Sequence, residues 1–233
     1  MSKVDLKLDW CSYKAAEYAV KHWHYSRTMP SCKTVKIGVW ENGKFIGAVI
    51  FNLGACQYIG RPYGLKMTEV CELVRVALDK HQSPVTKIIS ISLKMLKRHC
   101  PGTRLVVSYA DSNEGHVGAI YQAGNWKYVG EHAFERGILL FGQLKHRRTI
   151  GSRYGKCGIA WLRKHIDPKA KVVMGGCKYK YLMPLDKEMR DKLSQLPDKP
   201  YPKKSRAGSI SADAPGFQPG EGGSTPTPAL QNI

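Results

Sequence analysis

The stretch 35–52 constrains the fold more than any other part of the chain. Val35 to Trp40 and Phe45 to Asn52 are two runs rich in β-branched and aromatic residues, separated by Glu41-Asn42-Gly43-Lys44. Asn-Gly readily adopts the positive φ values of a tight turn between strands, so an antiparallel hairpin is expected here. A hairpin needs cover for its apolar face. Ser12 to His22 offers it at helical spacing, with Tyr13, Ala16, Tyr18 and Ala19 separated by Lys14, Glu17 and Lys21, and with Ser12 as N-cap. Further along, Glu72 to Leu78 reads as a strand. Ser83-Pro84 caps a helix to about His99, whose apolar face holds Ile88, Ile89, Ile91, Leu93, Met95 and Leu96. Arg104 to Ala110 reads as a buried strand, Gly115 to Ala123 as a short helix, Trp126 and Tyr128 as the start of a strand, and Ile138 to Leu144 as another. Elements in this order give an α+β or mixed α/β domain.

That domain is expected to span 1–204, with a basic C-terminal part at about 143–204. The remainder, 205–233, has four prolines, five glycines and almost no periodic apolar residues. It is expected to be a disordered tail. The longest apolar runs fall far short of the ~20 residues that cross a bilayer. The first ten residues alternate charged and apolar types with no apolar leader region. Seven widely spaced cysteines without a C-x-x-C pair read as reduced thiols. A cytoplasmic protein with no membrane partner is the expectation.

The charge is uneven. The chain carries a formal net charge of +19, and residues 143–206 hold 18 Lys and Arg against 5 Asp and Glu. Their clusters are interleaved with tyrosines, as in Arg153-Tyr154-Gly155-Lys156, Lys178-Tyr179-Lys180-Tyr181 and Lys199-Pro200-Tyr201-Pro202-Lys203-Lys204. Cations that neutralise phosphates beside rings that stack on bases or sugars point to nucleic acid. Lys145, Arg147, Arg148, Arg153, Lys156, Lys203 and Lys204 are the expected contacts.

Two segments are dense in chemically active groups. Lys21-His22-Trp23-His24-Tyr25-Ser26-Arg27 ends the first helix, and Tyr109-Ala110-Asp111-Ser112-Asn113 ends a buried strand. Loops at the carboxyl ends of strands gather over ligand crevices, which suits Asp111 to a site; a carboxylate after a strand is equally often a turn or cap. His22 and His24 diverge on either a strand or a helix, which makes them poor joint ligands for one metal. His24 and Tyr25 beside Asp111 would offer imidazole, phenol and carboxylate, a general acid and base or a mixed N/O set for iron. No P-loop, dinucleotide fingerprint, nucleophile elbow or H-E-x-x-H is present.

The order of elements, with Tyr121-Gln122-Ala123-Gly124-Asn125-Trp126 after the short helix, resembles the GCN5-related N-acetyltransferase fold, a central sheet flanked by helices. The usual glycine-rich loop for a diphosphate is replaced by Asp79 to Lys87. Main-chain amides at that helix start, with Lys80 and Lys87, would still suit phosphate. A closer resemblance is to the phage Mom DNA-modification family, through His22-Trp23-His24-Tyr25-Ser26, Glu72-Leu73-Val74-Arg75, Tyr109-Ala110-Asp111, the 115–130 block and Lys199-Pro200-Tyr201-Pro202-Lys203. This resemblance implies an acyl-CoA-dependent transferase of the cytoplasm of a phage-infected bacterium. It would convert adenine in double-stranded DNA to N6-methylcarbamoyl-adenine as an anti-restriction device. The implied catalytic residues are His24, Tyr25 and Asp111, which are also the implied iron ligands. Acetyl-CoA would lie along Val76, Lys80, Ser83, Lys87, Asn113 and Tyr121. The base to be modified must leave the duplex stack, and Trp23, Tyr25, Tyr58 and Tyr63 are candidate walls for it. The rival readings are an ordinary acetyltransferase acting on protein, RNA or a small molecule, and a DNA-binding protein without catalysis.

Overall fold

The computed structural model describes residues 4–53, 58–132, 136–145, 147–174 and 176–203. The expected tail, Cys56 and Lys204 lie outside them. The chain runs β1 (Leu6–Trp10), α1 (Tyr13–Trp23), β2 (Thr34–Glu41), β3 (Lys44–Asn52), β4 (Val70–Leu78), α2 (Val85–His99), β5 (Leu105–Asp111), α3 (Ala119–Gln122) and β6 (Lys127–His132). It continues with β7 (Arg136–Leu140), β8 (Gln143–Lys145), α4 (Arg147–Tyr154), α5 (Ile159–His165), β9 (Lys171–Met174), β10 (Lys178–Pro184) and α6 (Lys187–Ser194).

Seven strands form one sheet in the order β1-β2-β3-β4-β5-β10-β6. The hairpin β2–β3 turns at Asn42 (φ 49°) and Gly43 (φ 78°), as Asn-Gly demands. Its strands present alternate residues to two layers. Ala48 and Ile50 meet Ala16, Ala19 and Val20 of α1, while Val49 and Phe51 join Ile88, Ile89, Leu93 and Leu96 of α2. β5 divides in the same way: Val106 and Ala110 face α2, whereas Leu105 and Val107 pack with Met189 and Leu193 of α6. The sheet is therefore buried on both faces, which explains why β3 and β5 read as continuous apolar runs. Ser12 caps α1 by accepting the Ala15 N–H at 3.2 Å.

Several expectations change. The alternating N-terminus is an edge strand, β1, antiparallel to β2. The helix expected at 115–123 is confined to α3, because Gly118 takes a left-handed φ of 78° at its start. The strand expected at 138–144 is a hairpin, β7 and β8, turning at Phe141-Gly142. Pro84, not Ser83, occupies the N-cap of α2 and gives no side-chain cap. The Lys178 to Tyr181 cluster is no surface patch but the start of β10, inserted between β5 and β6. Tyr181 there is fully buried, and the Lys180 ammonium lies 4.9 Å from the Tyr63 ring centre.

Between β6 and β10 the chain builds a second, three-stranded sheet in the order β8-β7-β9, with α4 and α5 beside it. Ile138, Leu140, Ile150, Leu162 and Ala170 form its own apolar cluster. Residues 136–174 carry ten Lys and Arg against one acid, Asp167.

Candidate active site

β4 and β5 are parallel only from the Val70–Leu105 pair to Leu73–Ser108. Beyond it both strands continue unpaired with each other, to Leu78 and Asp111. The cause sits in β4. Ile50 of β3 faces Arg75 and Phe51 faces Leu73, so Val74 is an extra residue that bends the strand. Parting strands orphan carbonyls, and side chains satisfy them. Ser108 Oγ donates to Leu73 O at 2.8 Å, and Arg75 Nη1 donates to Val74 O at 2.8 Å. Arg75 Nε and Nη2 also donate to Thr28 O, at 3.2 and 3.1 Å, tethering the chain that follows α1 to the split.

A cavity of about 560 Å³ opens in this split. Its walls are Trp23, His24 and Tyr25 from the end of α1, Val74 and Val76 from β4, Tyr109 and Ala110 from β5, and residues 115–121. His24 is the residue at which α1 stops, its own φ and ψ already extended, which swings His24 and Tyr25 off the helix and over the cavity. The Tyr25 ring lies 4.3 Å from His24 and 5.2 Å, edge-on, from His116 between ring centres.

The His24 Nδ1 atom accepts the Ser26 N–H at 3.1 Å and lies 2.9 Å from Ser26 Oγ. An Nδ1 that accepts leaves the proton of a neutral imidazole on Nε2. Burial, with the charges of Arg75 and His116, pushes the imidazole down to about 4, so His24 is neutral near pH 7. Burial first, then the Asp111 carboxylate, raises the Tyr25 phenol, which stays protonated. Asp111 itself does not line the cavity. Its Oδ1 accepts from Asn113 N at 2.9 Å and Asn113 Nδ2 at 3.0 Å, a turn at the mouth. At the floor, the Tyr121 hydroxyl is hydrogen-bonded to Ser108 Oγ at 2.7 Å, and burial raises its phenol to about 12.

The other expected site residues are spread more widely. Val76 and Tyr121 line the cavity, but Asn113 Oδ1 is engaged by Gly176 N–H at 2.7 Å. Ser83 is buried, and its N–H donates to Glu41 Oε1 at 2.7 Å while Gln82 N–H donates to Glu41 Oε2 at 2.9 Å. A carboxylate of the chain itself thus occupies the Gln82 and Ser83 amides, so those two amides do not fit the diphosphate of acetyl-CoA. Lys80 is exposed beside it, and Lys87 lines a separate groove of about 760 Å³ along α2, with Lys94, Lys97, Arg98, Arg190 and Trp126. Iron fares no better with the implied ligands. A metal on His24 Nε2 would require the proton on Nδ1, against the Ser26 N–H. Among the described residues no three His, Cys, Asp or Glu side chains are grouped to hold a metal. Of the expected aromatic walls, Trp23 and Tyr25 are in place. Tyr58 lies under the Arg61 guanidinium, and Tyr63 is buried in the α6-side core. Tyr109 and His116 take those places. His116 was legible only as a polar residue near Asp111, and Glu41 only as part of a hairpin turn.

Of the expected DNA contacts, Arg147, Arg153 and Lys156 are exposed and Lys145 is partly buried, all on the inserted unit; Arg148 lies on α4 of the same unit. Lys203 is exposed on a C-terminal strap held to α3 and β6. Tyr201 donates to Trp126 O at 2.9 Å, Gln122 Nε2 to Pro202 O at 3.1 Å, and Lys127 Nζ to Leu196 O at 2.9 Å. Among the described residues no helix is long and apolar enough to cross a membrane.

A largely antiparallel sheet with helices on both faces, whose parallel pair splits over a pocket, defines a mixed α/β fold. The chain belongs to the Mom protein family, whose model matches residues 5–203. It is 28% identical over 207 residues to the methylcarbamoylase mom of Escherichia phage Mu, a match covering 85% of this chain and 84% of that one. Among solved structures it is similar to the ribosomal-protein-S18-alanine N-acetyltransferase of Escherichia coli, with a TM-score of 0.46, 8% identity, and 78% of this chain and 96% of that chain covered. It is also similar to the spermidine N-acetyltransferase of Vibrio cholerae in complex with CoA and spermine, with a TM-score of 0.44, 8% identity, and coverage of 82% and 98%.

Proposed function

We propose that this protein is a DNA-modifying transferase that converts adenine in double-stranded DNA to N6-methylcarbamoyl-adenine, and so shields phage DNA from restriction. The observation that carries the reading is the aromatic-walled cavity at the split between β4 and β5, in a chain of the Mom family. Adenine N6 lies on the pairing edge, so the base has to be extruded and held against aromatic or apolar walls. Trp23, Tyr25, Tyr109 and His116 supply them. The basic insert and the strap supply phosphate contacts.

The N6 lone pair is delocalised into the ring, and attack requires loss of a proton. His24, neutral with its proton on Nε2, serves as a donor to charge that develops on the acyl oxygen, and the Tyr25 phenol does the same. Asp111, on the turn at the cavity mouth and not in its lining, takes the N6 proton there, its Oδ1 oriented by Asn113. Acetyl-CoA, the implied donor, would supply an acyl carbon and release the CoA thiol, and the Gln82 and Ser83 amides, occupied by Glu41, would not hold its diphosphate. The second nitrogen of the methylcarbamoyl group would have to come from a nitrogen-bearing co-substrate in addition to the thioester.

The test is mass spectrometry of digested DNA from cells expressing the protein. A new adenine species with the mass of the N6-methylcarbamoyl form is expected. An unmodified adenine pool overturns the reading.

A further inference from the structure

The two hairpins of this protein turn in the same way on different residues. β2 and β3 are joined by Asn42 (φ 49°) and Gly43 (φ 78°), β7 and β8 by Phe141 (φ 50°) and Gly142 (φ 74°). Both loops have two residues, closing on the Glu41–Lys44 and Leu140–Gln143 pairs. The first position of such a turn favours Asn, Asp or Gly because φ is positive, and a bulky aromatic there is an outlier. Phe141 gains no burial in compensation, since it is 65% exposed. Instead the backbone is pinned. Asp167, 6% exposed, accepts the Phe141 N–H on Oδ2 at 2.6 Å and the Lys169 N–H on Oδ1 at 2.9 Å. A local rule broken at a fixed position, with the ring in solvent, marks a functional residue.

The surroundings say what the ring meets. Lys171 pairs across from Leu139, two residues before Phe141, and Lys145 and Arg147 follow the hairpin. The whole unit leaves the main sheet at the level of the cavity mouth, because Lys178 faces both Asp111 and His132. Its return is bonded to the same turn as Asp111, with Gly176 N–H on Asn113 Oδ1 at 2.7 Å and Ser112 N–H on Cys177 O at 3.1 Å. A single exposed aromatic at the tip of a hairpin flanked by Lys145, Arg147 and Lys171, on a unit that leaves the main sheet at the cavity mouth, has the form of a side chain that enters a base step of duplex DNA.

We propose that Phe141 is a wedge that inserts into the DNA stack and drives the target base toward the cavity. The proposal rests on the duplex-DNA reading above and makes Phe141 a positioning residue. It acts on stacking and takes no part in bond making.

The test uses the full chain and mixed-sequence duplexes in which 2-aminopurine, which brightens when unstacked, replaces some adenines. Wild type is expected to brighten the duplex. Phe141→Asn restores the preferred turn residue, so its melting temperature should equal or exceed that of wild type, and phosphate contacts should keep duplex affinity within about threefold. Its brightening at saturation should nevertheless fall about tenfold, because unstacking a step costs a few kcal/mol that the wedge no longer offsets. Phe141→Leu, still an apolar wedge, should keep most of the signal. Equal brightening by Phe141→Asn, a duplex bound by wild type without brightening, or no duplex binding each overturns the proposal. Wedge behaviour as described, with no modified adenine in expressing cells, upholds the proposal and overturns the adenine reading alone.

Discussion

Glu41 and Ser83, 42 residues apart, are joined by a 2.7 Å hydrogen bond from the Ser83 N–H to the Glu41 carboxylate, and Gln82 N–H binds the other carboxylate oxygen. Burial opposes the Glu41 charge. The hydrogen bonds from Gln82 and Ser83 and the charge of His81 outweigh it and hold the carboxyl below its ordinary value. Removing the carboxylate strands two loop amides. Glu41→Ala is expected to lower stability by about 1–3 kcal/mol, the cost of leaving the buried Ser83 N–H unsatisfied, as read by denaturant unfolding. If acetyl-CoA is the donor and its diphosphate avoids the Gln82 and Ser83 amides, the stabilisation it gives in thermal-shift titration should survive Lys80→Ala, and its loss in that variant would put the diphosphate on this loop.

Stability should fall on the acid side in two limbs. The folded state keeps His24 at about 4 against an ordinary 6.5, so between those values the unfolded chain binds a proton that the folded chain refuses. Stability therefore declines as pH drops through that window, on the order of 1–3 kcal/mol, and His24→Asn should flatten the limb. Glu41, depressed in the folded state, stabilises above its unfolded value. That contribution is lost as pH falls through and below the ordinary carboxylate range. Glu41→Gln should remove this second limb. Urea midpoints against pH separate the two.

For the proposed chemistry, His24→Ala and Tyr25→Phe should each lower adenine modification by about 10²–10³-fold with duplex affinity unchanged, since donors to developing charge act in the transition state. Asp111→Asn distinguishes base from turn. Asn can still accept the Asn113 N–H and keep the turn, so full activity in that variant would leave Asp111 with the turn alone.

Binding to duplex DNA should weaken steeply with salt. Replacing Arg147, Arg153, Lys156 and Lys203 with Gln should reduce the log–log slope by about 0.9 for each phosphate that is no longer neutralised. A fluorescence-anisotropy salt titration reads it, and an unchanged slope would move the DNA face elsewhere.

Ser108→Ala tests how the split is held open. It removes the donor to Leu73 O and the partner of the buried Tyr121 hydroxyl. A fall of about 1–3 kcal/mol is expected in urea unfolding, with a larger fractional drop in modification if the split shapes the pocket.

Elements ruled by local chemistry were legible from the chain alone. Asn42-Gly43 determined a hairpin because few other pairs adopt its φ values, Ser12 marked a helix start because its hydroxyl caps an amide, and the apolar face of α2 announced a buried sheet. The excess of cations after residue 143 was equally plain. Local signals failed where long-range pairing decided. Lys178 to Tyr181 looks like a solvated basic cluster, yet it becomes a central strand, because β5 and β6 each need a partner and Tyr181 fills the space beneath α3. The same holds for the site. His24, Tyr25 and Asp111 stood out as residue types, but only the bulge at Val74 opens the cavity, and only the Ser26 amide decides which His24 nitrogen carries the proton. No pattern in the chain reveals that Glu41 closes the loop at Gln82 and Ser83, since that contact depends on β2 ending beside the start of α2, a juxtaposition made by the packed sheet.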